Sequence, residues 1–511
     1  MPTLRAVAAA AGAAILLAAP TATAASGPPP EPKPSISDEA VDKAVARLDG
    51  TVRDMMRRTG VPGVSVAVVH DDAVVHLAGF GLRETGDTAK VGPDTVFQIA
   101  SLSKPVSSTV VAGALTDPGE WDRHTALPGF SLKDPWVTGH VTTADLFSHR
   151  SGLPDHAGDL LEDLGYDQSY ILDHLRLEPL TPFRASYAYT NFGLTAAAEA
   201  VARAKGVSWQ KLSADTLFKP AGMTHTSTEF TAFANSPDHA ATHVKNADGT
   251  WSPRFVRNPD AQAPAGGVSS TARDMSRWLR LQLAGGTLDG KRIVPADTLA
   301  RTHLPEVVSQ PPATPSGRTG FYGLGWNVSY DDAGRLRLSH SGAFALGANA
   351  NVTMLPLEQL GIVVLTNGAP VGLADAVALD FFDFAEHGKV TADWLTLAGG
   401  LYEQMDAGRS PTDYAHPPTT AKPAKDSAAY AGTYDNPYYG KLTVTADDEG
   451  ALTLALGPKP LRFPLAHYDG DTFSFETAGE NAVGRTGVTF ADGTVRVEYL
   501  DANHLGTFTR Q

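Results

Sequence analysis

The 511-residue chain contains no cysteine. That absence removes disulfides, thiolate metal sites, cysteine nucleophiles and lipid attachment at an N-terminal cysteine, so stability must come from packing. Positive charge is also scarce, with 41 Lys and Arg against 56 Asp and Glu, a net charge of −15. A surface of that sign repels nucleic acid and anionic membranes, and a neutral or cationic small molecule is the easier partner. Past residue 25 no apolar run is long enough to span a bilayer. The chain has no G-x-S-x-G elbow and no repeat of solenoid period. His239 and His243 have the spacing of a zinc pair, but no glutamate follows His239, so they read as structural or surface histidines. Asp71-Asp72 and Asp447-Asp448-Glu449 read as solvated turn acids. No metal or cofactor is expected.

What is present divides into segments. Residues 1–25 carry one positive charge at Arg5, an Ala/Leu/Ile-rich core and the small residues Ala22-Thr23-Ala24, the pattern of a cleaved export signal. A secreted or periplasmic location, with no membrane association after cleavage, is the expectation. A proline-rich leader follows over residues 26–36, then a main domain over 37–408, a second proline-rich linker over 409–426 and a final domain over 427–511. Val41, Ala44, Val45, Leu48, Val52 and Met55 predict an amphipathic helix, and residues 63–81 a hairpin around Asp71-Asp72. Residues 143–218 read as helices and loops, 264–267 as a glycine turn, and 270–283 as a helix with Met275, Trp278, Leu279 and Leu283 on one face. Three short strands between residues 335 and 368 form a meander that joins the N-terminal hairpin in one sheet. The fold class is thus α+β, an antiparallel sheet flanked by helices with a helical insert. Six alternating runs after residue 440 predict a small all-β barrel or sandwich.

The chemistry centres on FQIASLSKPVSSTVVAGAL, residues 97–115. Val106, Val110, Gly113 and Ala114 give a buried helical stripe, with Ser101 at or just before its first turn and Pro105 tolerated there. Lys104, three residues on, shares a face with Ser101. A buried amine can take the proton of a serine hydroxyl, and a helix N-terminus favours an oxyanion. Ser208 and Lys211 have the same spacing, so the pair alone does not mark a site. Tyr189-Thr190-Asn191 and His340-Ser341-Gly342 supply what distinguishes Ser101. A tyrosine can relay a proton, an amide can orient a carbonyl, and glycine lets a backbone N–H approach an oxyanion. Tyr434-Asp435-Asn436, His156-Ala157-Gly158 and His504-Leu505-Gly506 repeat the individual patterns. One set lies in a single domain on helix start, helical insert and sheet edge.

With VFQIASLSK, LFSHRSGLP, YAYTNFGL, PAGGVSS, YGLGW and LSHSGAFALGAN, residues 37 to about 390 resemble the serine β-lactamase and penicillin-binding-protein superfamily, in its class C-like esterase and D-aminopeptidase branch. The resemblance implies Ser101 as acylated nucleophile and Lys104 as proton acceptor, with Tyr189 as partner or alternative base. It implies that Asn191 orients the substrate amide or the lysine, and that the N–H groups of Ser101 and Ala343 form the oxyanion hole beside Gly342. His340 replaces the lysine of the family's K-T-G, exchanging a fixed cation for a group largely neutral at pH 7. The implied function is an exported serine hydrolase of small esters, amides or D-amino-acid peptides. The alternatives are a penicillin-binding or cell-wall-peptide sensor that turns over slowly, or a weak β-lactamase. The final domain resembles the lipocalin-like β-domain appended to such hydrolases, with a stabilising or oligomerising role favoured over substrate gating.

Overall fold

Ser37 opens the first element by accepting the Ala40 N–H, which caps helix α1 (Asp38–Thr59). Val41, Ala44, Leu48, Val52 and Met55 are buried along one side of it, as their spacing requires. The computed structural model describes residues 33–406 and 412–511. The export-signal pattern at 1–25, most of the leader and residues 409–411 of the linker lie outside them.

Strands β1 (Gly63–His70) and β2 (Ala73–Gly81) form the expected hairpin, with Asp71 and Asp72 at φ of 47° and 59°, the backbone of a tight two-residue turn. After a helical region containing α2 (Ser103–Ala114), α3 (Asn191–Ala204) and α4 (Ala272–Leu283), the chain returns to strand. Six strands follow: β3 (Val307–Gln310), β4 (Gly320–Tyr322), β5 (Asn327–Tyr330), β6 (Leu336–Phe344), β7 (Ala348–Leu355) and β8 (Leu360–Thr366). They complete an eight-stranded antiparallel sheet in the order β2-β1-β8-β7-β6-β5-β4-β3. Val64 pairs with Thr366 and His70 with Leu360, so both ends of the domain meet in one sheet. One face packs against α1 and α5 (Leu373–His387), the other against the helical region that holds α2. The sequence-predicted glycine turn at 264–267 is instead a short helical turn, Ala263–Gly266, because Pro264 sits where no intrahelical N–H is needed.

Beyond residue 426 a nine-stranded antiparallel sheet curls into a nearly closed barrel. Its strands are β9 (Gly432–Asn436), β10 (Gly440–Ala446), β11 (Leu452–Leu456), β12 (Leu461–Pro464), β13 (Ala466–Asp469), β14 (Thr472–Glu476), β15 (Arg485–Ala491), β16 (Thr494–Val497) and β17 (Thr507–Arg510). The strands beyond the six read from sequence are β9, β12 and β13, which are short or polar and carry little alternation. The barrel sits against the helical region: Tyr166 and Tyr170 donate to the Tyr439 and Tyr438 carbonyls at 2.8 and 3.1 Å, and Asn503 donates to Glu178 at 2.9 Å.

Candidate active site

Ser101 lies in a 3₁₀ turn, Ala100–Leu102, that runs into α2. Ala100, just before it, holds φ at 47°, a left-handed conformation costly for a residue with a Cβ. The turn is fixed by Ile99 donating to the Val268 carbonyl at 3.1 Å and Leu102 to Ile99 at 3.1 Å. Ser101 is half-buried and Lys104 is fully buried.

Lys104 Nζ lies 2.9 Å from Ser101 Oγ, 2.8 Å from Asn191 Oδ1 and 3.1 Å from the Ala265 carbonyl oxygen. Two of those partners can only accept. A neutral amine has two N–H bonds to give them, which leaves its lone pair facing the serine hydroxyl. Burial holds the Lys104 amine down at about 7; the Asp159 charge opposes that shift and Arg257 adds to it. The arrangement can therefore draw a proton from Ser101 near neutral pH.

Tyr189 places its ring 4.4 Å from Lys104 Nζ, in the neighbourhood of the Ser101 hydroxyl. Burial keeps the phenol well above its usual 10, only partly offset by the nearby Ser101 hydroxyl, so it stays protonated. Asn191, the first residue of α3, turns its Nδ2 to Asp159 Oδ2 at 2.8 Å. The structure places Ser101, Lys104, Tyr189 and Asn191 together.

The third motif arrives on β6. Its neighbour β5 pairs only as far as Ser339, so residues 340–344 leave one edge free beside the turn that carries Ser101. A Cβ at Gly342 would overlap the Ile99 carbonyl oxygen and come within 2.9 Å of Leu102 N, which is why glycine stands there. Ala343 follows on the same strand. His340 is buried; its Nδ1 donates to the Ser341 carbonyl at 2.7 Å and its Nε2 accepts from the Tyr322 hydroxyl at 2.9 Å. Burial and then the Lys104 charge push it down to about 3, so the imidazole is neutral.

The repeated patterns take other roles. Ser208 caps a helix by accepting the Lys211 N–H at 3.2 Å, while the Lys211 amine pairs with Asp215. Asn436 bonds carbonyls of the barrel, and His504 lies in a barrel turn. His243 spends both ring nitrogens on the backbone, accepting from Thr85 N–H at 3.0 Å and donating to Asn367 O at 3.1 Å. His239 bonds the Ser236 carbonyl at 2.6 Å. Neither offers a zinc ligand pair. Among the described residues, Asp38 of α1 and His70 and Asp71 at the β1–β2 turn are close enough together to share a cation, apart from the Ser101, Tyr189 and His340 motifs.

Sequence reading missed four contributors. Asp159 and Tyr322 fall in no chemical spacing rule, and Ala100 gives no sign of its strain. The fourth is an ion triad of Glu162, Arg257 and Glu480: Arg257 donates to Glu162 at 2.8 Å and to Glu480 at 3.0 Å, with its guanidinium 4.2 Å over the Phe344 ring. Glu480 comes from the barrel and also accepts the Ala345 and Leu346 N–H groups at 2.7 and 3.2 Å.

Residues 48–381 match the Beta-lactamase family profile, and 416–502 match one described as a domain of unknown function, DUF3471. The chain belongs to the beta-lactamase family. Within the wider serine β-lactamase and penicillin-binding-protein superfamily it is similar to "Unguisins hydrolase ungD" of Aspergillus violaceofuscus, 25% identical over 488 residues that span 86% of this chain and 85% of the relative. It is 29% identical over 386 residues to "Penicillin-binding protein 4" of Amycolatopsis lactamdurans, spanning 73% of this chain and 93% of that protein. In fold it resembles the octameric penicillin-binding protein homologue from Pyrococcus abyssi, with a TM-score of 0.56 at 18% identity over 91% of this chain and all of that one. Members of this superfamily are serine hydrolases acting on small amide or peptide substrates, and the present chain belongs to that superfamily. Among its described residues no helix is long and apolar enough to cross a membrane.

Proposed function

We propose that this beta-lactamase family protein is an exported hydrolase that opens ester or amide bonds through an acyl-enzyme on Ser101, of the esterase or D-amino-acid peptidase type. The observation that carries the reading is the buried Lys104 amine, 2.9 Å from Ser101 Oγ with its other two partners limited to accepting. In the first half-reaction Ser101 Oγ bonds to the substrate carbonyl carbon while its proton passes to Lys104. The N–H groups of Ser101 and Ala343 hold the oxyanion, and Asn191 orients the substrate amide. The protonated lysine, relayed by Tyr189, returns the proton to the departing alcohol or amine as that bond breaks. Water then repeats the sequence on the acyl-enzyme. Lys104 is the principal base in this scheme, because Tyr189 is held in its protonated form.

His340 bears on the substrate. Neutral and saturated by Tyr322 and Ser341, it supplies no cation for a carboxylate beside the scissile bond, which disfavours penicillins and carboxyl-terminal peptides. The similarity to a penicillin-binding protein favours a second reading, in which acylation is followed by slow turnover. A turnover panel separates them: p-nitrophenyl acetate and butyrate, D- and L-alanyl p-nitroanilides, and nitrocefin. Steady turnover of esters or of the D-anilide supports the proposal. A stoichiometric burst without turnover supports the second reading, and fast nitrocefin hydrolysis contradicts the role given to His340.

A further inference from the structure

Asp159 is buried, 4% exposed, and lies on the far side of Asn191 from Lys104. Its Oδ2 accepts from Asn191 Nδ2 at 2.8 Å and from His156 Nδ1 at 2.8 Å. Its Oδ1 is buried without a hydrogen-bond partner. A buried carboxylate oxygen left unpaired costs stability, so its retention calls for a physical reason.

The reason lies in how an amide divides its ends. The NH₂ of Asn191 donates to Asp159, so its carbonyl oxygen must face the other way, and there it meets Lys104 Nζ at 2.8 Å. A carboxylate accepts only and cannot hold the amide in the opposite flip. We infer that Asp159 is a positioning residue for proton transfer at Ser101: through Asn191 it fixes the carbonyl that steers the Lys104 amine onto the serine hydroxyl. The inference rests on the proposed role of Lys104.

The groups around the amine set the sign. Asp159 is the negative charge that acts on Lys104, and Arg257 opposes it. His149, His156 and His340 surround it from the helical region and from β6, and each feels the lysine charge. Tyr189 faces it with a protonated phenol. Loss of the Asp159 charge should weaken the amine as a base.

The test uses diisopropyl fluorophosphate, which phosphorylates an activated serine with loss of fluoride and needs no knowledge of the substrate. Its second-order rate with the full-length protein, followed by intact mass across pH 5 to 9, gives an acid limb where the base loses its proton acceptance. Asp159→Asn keeps an oxygen for the Asn191 NH₂ and removes the charge. Its limb should move to lower pH by about one unit, the smaller end of what a nearby opposite charge contributes, with the melting temperature little changed. Asp159→Leu, which also frees the amide, should lower the plateau rate at least ~10-fold. An Asp159→Leu plateau equal to wild type, or an Asp159→Asn limb that coincides with wild type or moves upward, overturns the inference. Lys104→Ala separates the two levels: if it abolishes the limb while Asp159→Asn leaves it in place, the inference alone falls. If Lys104→Ala keeps both rate and limb, the assignment of the base falls and the inference with it.

Discussion

At the scale of single residues, burial sets one instance of a common spacing apart from another. Ser101-Lys104 and Ser208-Lys211 are equivalent as sequence, yet Lys104 is buried beside its serine while Lys211 is 60% exposed in an ion pair with Asp215. Burial pushes the Lys104 amine towards neutrality, so it can accept a proton at physiological pH. Lys104 is protonated below about 7 and free above it, so kcat/KM should rise with pH through that region and level off above it. A rate constant flat from pH 5 to 9 would contradict the base. Lys104→Ala should cost at least ~10²-fold in kcat/KM, the usual scale for a general base. Ser208→Ala should leave the rate unchanged and cost about 1 kcal/mol of stability through its lost cap, readable as a small fall in melting temperature.

At the scale of elements, the site is a meeting of a helix start, a second helix start and a strand edge. The spacing of apolar residues made α1, the β1–β2 hairpin, α4 and the β6–β8 meander legible, because each buries a periodic face. The contact between the Ser101 turn and β6 left no such trace, since it is made by backbone atoms around one missing Cβ. Gly342→Ala tests it. The added methyl meets the Ile99 carbonyl, which cannot move without shifting the turn that carries Ser101, the proposed nucleophile, so activity should fall at least ~10²-fold. Stability should fall by about 1–3 kcal/mol, the cost of overpacking. Wild-type kinetics in that variant would mean that β6 does not form the oxyanion side of the site. Asp159 and Tyr322 were illegible for another reason: they act through side-chain bonds to residues far away in sequence, and no local pattern encodes those partners.

At the scale of the whole molecule, the barrel reaches the strand that carries the site. Asp163 accepts the Glu480 and Asn481 N–H groups at 3.0 and 2.8 Å, and Glu480 in turn holds Arg257 and the Ala345 and Leu346 N–H groups. Alternation pointed to a β-domain after the linker but could not show where its 478–483 loop would land. Gly440 lies so close that a Cβ there would meet the Tyr166 hydroxyl at 2.5 Å, which marks how tightly the two parts approach. Glu480→Ala leaves Arg257 with one partner and two N–H groups without theirs. It should cost about 3–5 kcal/mol, the scale for breaking a buried pair, and lower kcat/KM as the end of β6 loosens. An unchanged melting temperature and unchanged kinetics would reduce the barrel to an attachment. The central claim is acylation of Ser101, and the most direct measurement is intact-mass and peptide mapping after reaction with a fluorophosphonate. One adduct per chain on the Ser101 peptide, absent from Ser101→Ala and retained in Ser208→Ala, is the result expected. An adduct that survives Ser101→Ala, or maps to another serine, would contradict it.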